Sequence, residues 1–80
     1  MRLDEAVSLQ LRPGQITRVS TVEDAGKILL AWPKPMDTAK HRAARRAVLK
    51  VLQGQAEARR ARKALQEAAK EAGILAVSLW

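Results

Sequence analysis

An α+β fold is predicted for this chain: an N-terminal β-hairpin, three helices and a short C-terminal strand (ββαααβ), with the helices packed on one face of a small sheet. Three observations predict it. Apolar and polar residues alternate through "AVSLQLR" before the turn signal Pro13-Gly14. Apolar residues then recur at helical spacing in three segments, punctuated by Pro33, Pro35, Gly54 and Gly73. The last seven residues, "ILAVSLW", turn β-branched and leucine-rich again.

Each element follows in order. Val7, Leu9 and Leu11 share one face of the first strand, opposite Ser8, Gln10 and Arg12, the period-two pattern of a half-buried strand. Pro13 presets the first central position of a tight turn and Gly14 supplies the positive φ of the second, so "ITRVS" can run back as the second strand. Ser20 with Glu23, or Thr21 with Asp24, offers a cap for a first helix over about 22–31. Val22, Ala25, Ile28, Leu29 and Trp32 form its apolar stripe, and Pro33 stops it. Asp37 can cap a second helix reaching about Gln53, with Ala44, Ala47, Val48, Val51 and Leu52 on one side. A third helix over about 55–72 carries Ala58, Ala61, Leu65, Ala68 and Ala72. Residues 75–79 read either as a third strand, with Leu75, Val77 and Leu79 on one face, or as a tail whose Trp80 seeks a pocket; the strand is the favoured reading.

Eighty residues make one domain, and one this small buries only about 60% of the surface its unfolded chain exposes. Of its 38 hydrophobic residues 15 are alanines, and Trp32 and Trp80 are the whole aromatic content. So thin a core makes a homodimer an expectation. Without cysteine there is no disulfide, no thiolate nucleophile and no cysteine-based zinc site. No apolar run is long enough to span a bilayer, and "MRLDEAVSLQ" does not read as a signal peptide, so a cytoplasmic, non-membrane protein is expected.

The net charge of +7 is concentrated in one segment: residues 34–63 hold ten basic and two acidic residues, while the flanking stretches are near neutral. At 100° per residue Arg42, Arg46 and Lys50 form a stripe on the second helix away from Val48 and Val51. On the third helix Arg59, Lys63 and Lys70 lie opposite Leu65, with Arg60 and Arg62 beside them. These stripes have two readings, the solvated side of amphipathic helices or a surface for an external anion. Like charges one turn apart cost roughly 0.2–0.5 kcal/mol per pair, and the second helix has no acid after Asp37 to offset them. A nucleic-acid backbone or an acidic protein would relieve that repulsion.

Nothing in the chain reads as catalytic. His41 is the single histidine, placed beside the apolar stripe of the second helix, and the carboxylates are scattered. The glycines stand singly, without phosphate-loop spacing. No catalytic residue, metal ligand or cofactor site is expected. Trp32 reads first as a core plug and second as an interface anchor, while Leu49 falls between arginines on the polar side of its helix.

The hairpin followed by "TVEDAGKILLAWP", "HRAARRAVLKVLQG" and "ARKALQEAAKEAGI" resembles domain-of-unknown-function family 982, small alphaproteobacterial and especially rhizobial proteins. The resemblance runs from about Val7 to Ile74 and rests on Trp32-Pro33, on the Ala44/Leu52/Gly54 spacing, and on Ala61-Arg62 followed by Ala68-Ala69 and Ala72-Gly73-Ile74. It implies a compact α+β domain in a bacterial cytoplasm and carries no catalytic residues. The chain departs from it at Leu65, where the family tends to an aromatic, and at Val48, where it tends to a small residue or cysteine.

The functional expectation is therefore a non-enzymatic binding module, homodimeric, with a basic helical surface built from Arg42, Arg46, Lys50, Arg59, Arg62 and Lys63 that takes nucleic acid without specificity, or an acidic protein. The alternative is a structural or regulatory protein–protein adaptor working through Trp32, Leu49 and Trp80, its charges conferring only solubility.

Overall fold

The computed structural model describes residues 1–12, 14–32 and 38–76. Two strands, β1 (Arg2–Arg12) and β2 (Gln15–Thr21), are followed by helices α1 (Val22–Leu30), α2 (Ala39–Leu52) and α3 (Ala58–Ala72). The strands pair antiparallel, with Val7 opposite Val19, Leu9 opposite Thr17 and Arg12 opposite Gln15. Gly14 closes the hairpin at φ 76, the left-handed conformation that the sequence assigns it. Between Arg2 and Val7 the register shifts, and Asp4 sits there at φ 85 in a β-bulge. Leu3, Val7, Leu9 and Val19 all reach the buried face.

The helix boundaries follow capping chemistry. Thr21 caps α1, its Oγ1 accepting from the Asp24 N–H at 3.0 Å, so the second of the two cap alternatives is the one used. Glu23 instead accepts from the Met1 ammonium group at 2.9 Å. The cap of α2 is Thr38 rather than Asp37: its Oγ1 accepts from the His41 N–H at 3.1 Å, and Asp37 lies outside the described residues. Helix α3 begins at Ala58, later than its composition predicts. Residues 54 and 55 are still occupied in ending α2, where Gly54 N–H bonds the Val51 carbonyl and Gln55 N–H the Lys50 carbonyl, a Schellman motif around Gly54 at φ 75.

The layering differs from the expected sheet with three helices on one face. Helices α1 and α3 pack on the hairpin, while α2 packs on α1 and α3, with at most marginal contact to the strands. One continuous core results, joining Leu3, Val7, Leu9 and Val19 of the strands to Val22, Ala25 and Leu29 of α1, Val48 and Val51 of α2, and Leu65 of α3. Alanines at 44, 61, 68 and 69 face this core and allow close helix approach at the cost of little buried area.

A closing strand is not formed among the described residues. Gly73, at φ 72, ends α3 in a second Schellman motif and turns the chain toward the free edge of β1. There the Gln10 N–H donates to the Ile74 carbonyl at 2.7 Å and the Ala76 N–H to the Ser8 carbonyl at 2.9 Å, a single antiparallel bridge between Leu9 and Leu75. The predicted strand pattern at Val77 and Leu79 lies outside the described residues.

Candidate functional site

The proline that stops α1 also determines what surrounds His41. The carbonyl of Leu29 would ordinarily accept from the residue four positions on, but that residue is Pro33, which has no N–H. His41 supplies the donor: its Nε2 lies 2.8 Å from the Leu29 oxygen, in a fully buried position (1% exposed). Because a carbonyl only accepts, Nε2 carries a proton, and Nδ1 is buried without a partner among the described residues. The Trp32 ring packs against the imidazole at 5.6 Å between centroids, tilted by 49°. Trp32 is thus a core residue, the first of its two readings, and its ring is not exposed to a partner. His41 is a structural tie between two helix ends. Its spacing on α2 placed it near the apolar stripe, but its carbonyl acceptor comes from another helix.

The basic residues separate into three environments. Arg62 faces the hairpin: its guanidinium donates to Glu5 at 3.1 Å and lies 4.0 Å from Asp4, leaving it 22% exposed. It clamps the bulged start of β1 to α3, so two acids at the other end of the chain, Glu5 and Asp4, account for its charge. Arg59, Arg60 and Lys63 remain on the outer side of α3, around an open concavity that Arg62 also lines, together with Glu57 and Glu67. Arg59 pairs with Glu57 at 3.0 Å, and Glu67 is turned toward Lys40 at 3.7 Å. Arg60 and Lys63 have no carboxylate within 4 Å among the described residues. Glu57 stands at the N-cap of α3 without a side-chain bond to the first-turn amides, so the positive end of the helix adds to this field.

The α2 residues Arg42, Arg45 and Arg46 form a different feature. They border a groove of about 460 Å³ between α1 and α2, whose floor and walls include Leu30, Leu49 and Leu52. Lys50 is exposed and lies outside that lining. The two basic stripes therefore line separate features with no residue in common. Leu49 belongs to the groove, Trp32 is buried and Trp80 lies outside the described residues, while the six basic candidates are divided between α2 and α3. Sequence reasoning noticed Leu49 singly. Leu52, expected on the apolar side of α2 with Val48 and Val51, is instead exposed at the rim of this groove, and Leu30, which no sequence pattern singled out, lies beside it.

Among the described residues no group of three His, Asp or Glu side chains could hold a metal ion, and no helix is long and apolar enough to cross a membrane. No curated protein and no solved structure matches the chain. Residues 5–76 match the family described as "Protein of unknown function (DUF982)", a range that spans the hairpin from Glu5, the three helices and the Leu9–Leu75 bridge. By that match, over nearly its whole length, the chain belongs to the DUF982 family.

Proposed function

We propose that this protein is a non-catalytic binding module of the bacterial cytoplasm whose outer α2–α3 surface takes a polyanion, with a nucleic-acid backbone as the fitting class. The observation that carries this reading is the set of exposed cations on α2 and α3, Arg45, Arg46, Lys50, Arg60 and Lys63, that have no carboxylate within 4 Å among the described residues. Like-charged neighbours at one-turn spacing repel, and phosphates laid along them would remove that cost while releasing condensed counterions. Base discrimination is not part of the proposal. Trp32 is buried, leaving no described aromatic platform for bases.

The test is fluorescence anisotropy with a short labelled DNA duplex and its RNA counterpart at about 50 and 200 mM salt. Binding in the micromolar range that weakens steeply with salt is expected. It should be lost when Arg60 and Lys63 are reversed to Glu, and weakened when Arg42 and Arg46 are. No binding at low salt would leave the charges as a solvated face. A homodimer, expected from the thin core, is read in the same samples by sedimentation.

A further inference from the structure

Three of the five large hydrophobic side chains exposed among the described residues lie in one place. Leu30 (72% exposed), Leu49 (56%) and Leu52 (44%) all border the α1–α2 groove, whereas Met1 and Ile16 stand elsewhere. Scattered apolar residues need no explanation, but a contiguous set does. The two helices run antiparallel here, since His41 at the start of α2 meets Leu29 near the end of α1 while Val48 lies beside Gly26. Gly26 has no side chain to fill the floor; a Cβ there would come to 3.5 Å from Val48 Cγ1. The groove follows α2 from Arg42 to Leu52, about 15 Å at 1.5 Å per residue, which is roughly three turns of helix.

We infer that this groove docks one amphipathic helix of a partner protein, with the partner's apolar stripe on Leu30, Leu49 and Leu52 and its flanking Asp or Glu side chains against Arg45 and Arg46. Charge complementarity selects this occupant. The described residues of the groove lining include three arginines and no carboxylate, so an incoming apolar segment is accepted best when it brings its own acids. A second copy of this chain placed symmetrically on the same face would set Arg42, Arg45 and Arg46 of both protomers against each other. A nucleic acid would meet the arginines and leave the leucines uncovered. An acyl chain requires enclosure, and these leucines protrude from an open trough. Apolar anchors spaced i, i+4, i+7 on a helix match a trough between two helices.

The inference shares Arg45 and Arg46 with the polyanion reading but does not rest on it, and reversing Arg60 and Lys63, which lie outside the groove, tests that reading separately. The experiment titrates the full-length, isotope-labelled protein with a capped helical peptide of about four turns bearing Leu at i, i+4 and i+7 and Glu on both flanks. Amide shifts confined to residues 26–30 and 42–52 are expected, with Leu49→Ser and Arg46→Glu each weakening binding on the order of tenfold. Both positions are exposed, so both variants keep the fold, which their unperturbed spectra verify. A peptide with Lys in place of Glu should fail to bind. The inference is overturned by any of three results: no groove shifts at about 1 mM peptide, equal binding of the Lys peptide, or sedimentation showing a dimer that Leu49→Ser dissociates.

Discussion

Leu29, in the last turn of α1, has a carbonyl that Pro33 cannot serve, and the N–H at His41 Nε2 serves it from the next helix. Removing that donor leaves a buried acceptor bare, which costs about 1–3 kcal/mol. His41→Leu, similar in bulk, should therefore lower unfolding stability by that amount in urea titrations, and a variant of undiminished stability would remove the tie. Glu23 provides a weaker effect with a defined pH dependence. The hydrogen bond from the Met1 ammonium group, helped by the backbone N–H of Glu23 itself and by the ammonium charge, holds its carboxyl below the ordinary carboxylate range against a small desolvation effect. A depressed folded-state pKa means stability present above the unfolded value and lost as the pH falls through the folded one. The thermal midpoint of the native chain should thus fall more steeply than that of Glu23→Gln between about pH 5 and 3. Superimposable curves would show that the exposed pair contributes nothing. Neither partner was legible locally: Glu23 has capping-box spacing to Ser20, yet folding brings the chain start to it.

At the scale of elements, both glycine-terminated helices end as their composition indicates, because the left-handed C′ position is a local property of the backbone. Gly73 has further consequences, since its turn delivers Ile74 to the edge of β1. No atom lies within 4 Å of where a Cβ would be added, so Gly73→Ala meets no clash and pays only the conformational cost, about 1 kcal/mol. Amide exchange should quicken at Gln10 and Ala76 in that variant; unchanged protection would show that the bridge forms without the motif. The starts of α2 and α3 were less legible. Thr38 and Asp37 are adjacent and both able to cap, and only the chain path decides that Thr38 Oγ1 meets the His41 amide. The delayed start of α3 follows from the residues that the α2 terminus consumes. The bulge at Asp4, with φ 85, interrupts a pattern that alternation alone cannot register.

For the whole molecule, a single leucine carries much of the α3 contribution to the core. Leu65 is fully buried among alanines at 61, 68 and 69, and its truncation to Ala leaves a cavity that small neighbours fill poorly. Such changes cost about 2–5 kcal/mol, a large part of the about 5–15 kcal/mol that holds a typical domain together. Leu65→Ala should populate the unfolded state visibly at room temperature by circular dichroism, and a retained cooperative transition with an unshifted midpoint would refute it. The charges divide in a parallel way. Arg62→Ala should reduce stability by up to about 1 kcal/mol while leaving the salt dependence of duplex binding intact, because its guanidinium belongs to Glu5 and Asp4. A fall in the salt slope equal to that of an Arg60→Ala variant would return Arg62 to the binding surface.

The sequence by itself determined the hairpin, the three helices and their order, the glycine stops, most of each buried stripe and the localisation of positive charge, because periodicity, capping and composition act over a few residues. Only the tertiary structure decided that α2 stacks on the other helices, that Arg62 is consumed by the hairpin, that His41 completes α1, and that Leu30, Leu49 and Leu52 share one groove with three arginines. Each of these depends on residues far apart in the chain meeting through packing. A one-dimensional pattern assigns side chains to the faces of a helix but does not say which faces meet.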